Sequence, residues 1–172
     1  VQGGKMKIIY DFKSWLKFGF YLALCLGIGL VIASIAKADS TEEQNKAAVR
    51  RLIDEIYHKG NMAIFDEIVA DNAVLHDNER TIESLEMAKR QIRMVLNRYR
   101  NIQITIEDMI AEGDMVAARS TFRGVFRQNG KSLISPSITI SKFKDGKIIE
   151  VWRAFDIANI FRQLGIPPPP QQ

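Results

Sequence analysis

Past residue 38 the sequence holds no cysteine; its single thiol, Cys25, lies in an apolar leader. The remainder can form no disulfide and no thiolate metal site, and an oxidising compartment holds no hazard for it. Histidine is nearly as scarce. His58 and His76 stand eighteen positions apart with no HxH or HxxxH spacing, so no metal is expected. Motifs that announce a nucleophile or a bound phosphate are missing too: there is no GxSxG, no P-loop and no GxGxxG. Net charge is also lacking beyond the leader. Of 24 Lys+Arg and 20 Asp+Glu, five lysines and one aspartate lie in residues 1–38, which leaves nineteen of each sign for the rest. Without a positive field there is little counterion release to drive phosphate binding, and nucleic acid is not an expected partner. The 172 residues leave room for one ordinary domain plus a targeting segment, not for two domains.

What the leader does have is a membrane-entry pattern. Lys5, Lys7, Lys13 and Lys17 precede nineteen uncharged residues, Phe18 to Ala36. Ala36-Lys37-Ala38 then sets small residues at the two positions read by signal peptidase, with cleavage expected before Asp39. The alternative is an uncleaved anchor over residues 18–36, since about 20 apolar residues also span a bilayer. In the first case the domain is periplasmic or secreted; in the second it hangs from the inner membrane, and the lysine-rich end stays inside in both. Gly3-Gly4 reads as a translated ribosome-binding stretch, which would make Met6 the first residue of the precursor.

The expected organisation is thus a leader over 1–38, a domain over 39–166 and an extended tail over 167–172 containing Pro167 to Pro170. Ser40-Thr41-Glu42-Glu43 has the form of a capping box, followed at helical spacing by Ala48, Val49, Leu52, Ile53, Ile56 and Tyr57. Met62, Phe65, Ile68 and Val69 suggest a short second helix, and Ala73 to His76 an extended stretch. A third helix over about Ile82 to Tyr99 carries Leu85, Ala88, Ile92, Val95 and Leu96 on one stripe, with Lys89, Arg90, Arg93 and Arg98 on a solvated side. Past Asn101 the period becomes two. Turns at Glu112-Gly113-Asp114, Asn129-Gly130 and Asp145-Gly146 then divide the chain into a four-stranded antiparallel meander. A last helix runs from Ile157 to Leu164 and stops at Gly165. Helices first and a meander afterwards define an α+β domain whose curved sheet wraps the helices, with a ligand pocket between them.

Four stretches carry a resemblance: NKAAVRRLIDEIYHKGNMAIFDEIVADNAVLHD, ITIEDMIAEGDMVAARSTFRG, KFKDGKIIEVWRAFD and IFRQLG. In this order and spacing the chain resembles the SnoaL-like polyketide cyclase (ester cyclase) family, within the NTF2-like superfamily of cone-shaped folds. The resemblance implies an NTF2-like cone and an enzyme without a cofactor. In that family an aspartate late in the last strand is the general acid/base for an intramolecular aldol closure. Laid on GKIIEVWRAFD, that aspartate falls on Arg153, and the next acid is Asp156. Family positions that are typically glutamine and histidine fall on Ser137 and Thr139, and an early pocket asparagine falls on His76. The family's lid-like insertion is reduced to a short turn near Asn129-Gly130.

These positions set the candidate chemistry. His76, with an unperturbed pKa near the working range, would be the base. Arg153 would hold an anionic group or a developing oxyanion, and Asp156 would orient either one. Tyr57, Ser137 and Thr139 are expected to line the pocket. Against this stands a structural reading in which Arg153 and Asp156 pair at the rim and His76 is a polar loop residue. His58 reads as a cation at a helix C-terminus. Arg119, Arg123 and Arg127 share one strand face, opposite Phe122 and Phe126, and read as solvated. Trp152 is expected on the outer face, where an aromatic patch suits a homodimer. Three functions compete. One is a cofactor-free cyclase, isomerase or hydrolase-like enzyme for a small hydrophobic carbonyl compound. The second is an exported binding module for an anionic small molecule, and the third a dimerisation scaffold. Any membrane contact is expected through the N-terminal segment alone.

Overall fold

The computed structural model describes residues 39–167, so the leader, its cleavage site and the tail past Pro167 lie outside the described residues. The described residues from Ser40 onward belong to one compact unit, Ser40–Gln172. Among the described residues no helix is long and apolar enough to cross a membrane.

The first helix, α1, is already formed at residue 39 and continues to 53 before widening into a π-helical turn, Asp54–His58. Ser40 to Glu43 therefore lie inside the helix rather than capping it. The wide turn places Ile56 wholly inside the core and Tyr57 half-buried beside it. His58 stands in the last turn of the helix and also clips it to the sheet: its Nε2 accepts the Ile104 N–H at 3.1 Å and its Nδ1 lies 3.3 Å from Asp54 Oδ1.

Helix α2 (Ile64–Ile68) leads directly into β1 (Val69–Asp77), and Asn78, with φ of 52°, turns the chain into the short β2 (Arg80–Ile82). Because Ile82 pairs with Leu75 in that hairpin, α3 starts later than its apolar stripe suggests, at Leu85, behind a Ser84 cap. It ends at Arg98 and buries Ala88, Lys89 and Ile92. Lys89 corrects the expectation of a solvated basic side. It is buried and tied to Asp66 at 2.5 Å and Glu86 at 3.2 Å, so it fastens α3 to α2. The Asp66 carboxylate, ahead of Glu86, pushes the ammonium above its ordinary pKa.

The meander follows as β3 (Tyr99–Glu112), β4 (Met115–Phe126), β5 (Ser132–Lys144) and β6 (Lys147–Phe155). Asp145 and Gly146 both take positive φ, 52° and 77°, as a two-residue hairpin of matching twist requires. The curved sheet has six strands rather than four, ordered β2-β1-β6-β5-β4-β3, and one of its pairings is parallel. That exception is β1 against β6, with Leu75 beside Val151 and Asp77 beside Arg153. The first long strand thus closes on the last, and α3 and the meander form the crossover between them.

Two apolar clusters fill the concave side. The larger joins Val49, Ile56, Phe65, Ile68 and Ile92 to Val116, Phe143 and Ile148 of the sheet. The smaller gathers Tyr99, Phe126 and Leu133 around Leu164 of α4 (Ile157–Leu164), which Gly165 ends in the left-handed conformation. Strand β5 runs against the usual pattern. From Ser135 to Ser141 its core-facing positions are Ser135, Ser137, Thr139 and Ser141, while Ile134, Pro136, Ile138 and Ile140 alternate on the outer face.

Candidate functional site

The site grows out of the parallel pairing. On β1 the alternation that buries Ala73 and turns Leu75 to the core brings Asp77 to the same concave side. Its register partner Arg153 meets it there. Arg153 Nε donates to Asp77 Oδ1 at 2.8 Å and Nη2 donates to Oδ2 at 2.9 Å, a bidentate pair. From α3, Gln91 Nε2 donates to the same Oδ2 at 2.7 Å. From the π-turn of α1, the Tyr57 hydroxyl reaches the guanidinium. Four elements thus converge on one carboxylate and one guanidinium.

Exposure within the pair is unequal. The Asp77 side chain keeps 8% of its surface, whereas Arg153 keeps 36%. The carboxylate is walled in and the arginine still opens onto solvent. Burial works against the arginine's charge, but the hydrogen bonds it donates to Asp77, together with the neighbouring Tyr57, outweigh it, and the pKa stands above its ordinary value. Arg153 also lies 5.5 Å over the Phe155 ring. Next to this pair the floor is hydroxylic: Thr139 is in register with Arg153, and Ser137 Oγ is 3.1 Å from Ser120 Oγ.

Chemically, the arrangement provides an acceptor and a set of donors fixed relative to each other. A carboxylate offers roughly four acceptor positions, and the three bonds above leave one on Oδ1. The guanidinium has more N–H groups than the two given to Asp77, and its exposed part can hold a carbonyl or anionic oxygen. Among the described residues no group of three His, Cys, Asp or Glu stands together to hold a metal ion.

The structure does not bring His76, Arg153 and Asp156 together. His76, one residue from Asp77, faces the opposite side of the sheet. There its ring stacks on Trp152 (centroids 5.6 Å apart, planes 12° from parallel), and its Nε2 is 2.9 Å from Glu150 Oε1. Asp156 lies at the end of β6 as the N-cap of α4, accepting the Asn159 N–H at 2.9 Å. Of the six residues singled out in the sequence, Arg153, Tyr57, Thr139 and Ser137 share the concave side. Asp77 and Gln91 were not anticipated. The period-two signal of Ala73, Leu75 and Asp77 was legible in the sequence; Gln91, on a helix with no other polar contact to the strand, carried no such signal.

The profile of the SnoaL-like polyketide cyclases matches residues 47–164, more than half of the chain. No curated protein matches it significantly. Among solved structures, a candidate SnoaL-like polyketide cyclase from Jannaschia sp. CCS1 superposes with a TM-score of 0.66 at 22% identity, over 74% of this chain and 95% of that one. A protein of ketosteroid isomerase-like fold from Catenulispora acidiphila gives 0.62 at 16% identity, over 70% and 93%. An LEH-like epoxide hydrolase from M. tuberculosis gives 0.62 at 16% identity, over 72% and 91%.

Proposed function

Since the chain belongs to the SnoaL-like polyketide cyclase family, we propose that its domain is a cofactor-free acid/base enzyme of the cyclase or isomerase kind, acting on a small hydrophobic carbonyl compound with Asp77 as its base. One observation carries this reading: a nearly buried carboxylate is clamped on the concave side by Arg153 and Gln91. Where the family pattern sets its aspartate, this chain has Arg153, and an acid stands on the adjoining strand in direct register with it. On this reading the acid is supplied from β1 rather than from the last strand.

In the proposed reaction, Asp77 Oδ1 takes a proton from the carbon next to the substrate carbonyl. The electron pair of that C–H bond moves onto the carbonyl oxygen, and the N–H groups of Arg153 stabilise the resulting enolate. For closure, the enolate carbon attacks a second carbonyl of the same molecule and Asp77 returns the proton to the new alkoxide. For isomerisation, the proton returns to a different carbon. Gln91 holds the carboxylate in place.

The test is deuterium exchange at the carbon between the carbonyls of a hydrophobic 1,3-diketone in D2O, followed by NMR. The protein is expected to accelerate exchange, Asp77→Asn to lose about 100-fold or more, and His76→Ala to keep the full rate. A second reading, a non-catalytic module for an anionic small molecule, is favoured by the bidentate engagement of both Asp77 oxygens. Stoichiometric binding with no exchange by the unaltered protein would select it. Either activity is proposed to operate outside the cytoplasm, on the strength of the lysine-then-apolar leader and Ala36-Lys37-Ala38. A C-terminal alkaline phosphatase fusion, active only when exported, checks that.

A further inference from the structure

We propose that the solvent-facing line of α3, with the groove at its C-terminal end, docks the domain on an anionic lipid surface: Arg98 and Arg127 hold a phospholipid phosphate while Met87 and Met94 enter the acyl layer. From Met87 to Arg100 the sequence has five basic residues and no acid. Lys89 turns inward to Asp66 and Glu86. Arg90, Arg93, Arg98 and Arg100 are exposed, and among the described residues none of the four has a carboxylate partner. The domain balances its charges only as a whole, so its compensating acids lie elsewhere and a local positive field is left here. Two apolar side chains stand in that field, Met87 at 54% and Met94 at 50% exposure. Seven residues apart, they are two turns or about 10 Å from one another on the same side of α3, with Arg90 between them and Arg98 one turn beyond Met94.

Past Arg98 this line runs into an open groove of about 460 Å³, lined by Met94, Asn97, Arg98, Phe126, Arg127 and Gln128. Met94 and the nearly buried Phe126 supply its apolar part, and two guanidinium groups stand over it. The Arg127 N–H donates to the Arg98 carbonyl at 2.9 Å, which holds the two arginines side by side where α3 passes into β3. Arg127 is fixed further by its Nε, which donates to the Tyr99 carbonyl at 3.1 Å. Its Nη groups take no part in that bond, and a guanidinium positioned in advance grips phosphate oxygens in pairs.

Two features select a lipid surface over other polyanions. Single-stranded nucleic acid is held by aromatic side chains that stack on its bases, and this line exposes none, because Tyr99 and Phe126 are buried. Methionines, unbranched and adaptable, suit disordered acyl chains instead. The sequence also sets nineteen uncharged residues, Phe18 to Ala36, with only two positions between them and Asp39. A chain that keeps this segment presents its domain to a bilayer at close range. The α3 line then adds to the leader a second membrane contact, which fixes the domain's orientation.

The test is NMR of the full chain, isotopically labelled at its methionine methyl groups, in lipid nanodiscs whose acyl chains carry a nitroxide. In discs of equal phosphatidylglycerol and phosphatidylcholine, Met87 and Met94 are expected to broaden, and Met115, at the far end of β4 from Phe126, to stay sharp. In discs of phosphatidylcholine alone all three are expected to stay sharp. Arg98→Glu with Arg127→Glu should cut the docked population at least roughly tenfold, because each basic group near an anionic surface contributes a factor of about five. Should that variant lose its native circular dichroism, Arg90→Glu with Arg93→Glu, at side chains that make no hydrogen bond among the described residues, gives the same reading. Equal broadening in both lipids would mean that the leader alone brings the domain to the disc, and overturns the proposal. So does broadening that the charge reversals leave unchanged. Sharp signals in anionic discs overturn it too, and methyl shifts produced instead by a single-stranded oligonucleotide, or by raising the protein concentration, would then assign the face to nucleic acid or to a second copy.

Discussion

Removing the two members of the Asp77–Arg153 pair one at a time should destabilise the domain by different amounts, and the difference follows from their burial. Arg153→Met strands a carboxylate that keeps 8% of its surface and retains only Gln91 as a partner. A charge left alone in that setting costs about 3 kcal/mol, near the lower end of what breaking a buried pair removes. Asp77→Asn strands a guanidinium that keeps 36% of its surface, so water replaces part of the lost interaction. Discounted for that screening, the expected cost is about 1–2 kcal/mol. The double variant removes both charges and should cost about 3 kcal/mol, less than the sum, for a coupling of about 1–2 kcal/mol. The assay is urea unfolding followed by far-ultraviolet circular dichroism on all four proteins at one pH and salt concentration. Additivity within about 0.5 kcal/mol would show that the bidentate geometry does not couple the pair. A larger loss from Asp77→Asn than from Arg153→Met would refute the burial argument itself.

Other positions give simpler expectations. Leu164→Ala, at a side chain almost without exposure in the α4 cluster, should cost about 2–4 kcal/mol, read as a lower urea midpoint with an unchanged slope. Asp156→Ala should cost about 1 kcal/mol through the lost helix cap while leaving deuterium exchange at its full rate, which separates it from Asp77. Gly146→Val, at a φ of 77° in the β5–β6 hairpin, should lower stability by about 1–3 kcal/mol in the same unfolding assay.

The parts of the fold that depend on local pattern were legible in the sequence, and those that depend on partners far along the chain were not. The meander, its turns and α4 follow from alternation and turn residues, each acting over a few positions. The pairing of β1 with β6 leaves no local trace, because a parallel partner is fixed by the crossover between the strands. The same distance hid the site. His76 was attractive as a titratable residue, yet in an extended strand the neighbour of an inward residue faces outward, and Ala73 and Leu75 had already assigned the inside to Asp77. Lys89 misled in another way: its charge argued for solvent, but Asp66 on the preceding helix gave it a reason to be buried.

The closure of β1 on β6 bears on how the protein is made. Asp77 and Arg153 are 76 residues apart, so the acid leaves the ribosome long before the strand that holds it. Contacts of such separation form late, because the intervening loop must lose its freedom before they repay it. A nascent or clipped chain ending ahead of residue 147 would carry the carboxylate without Arg153 to clamp it, and so would lack the pair on which the proposed activity rests. Completion of synthesis and assembly of the Asp77–Arg153 pair thereby become one event.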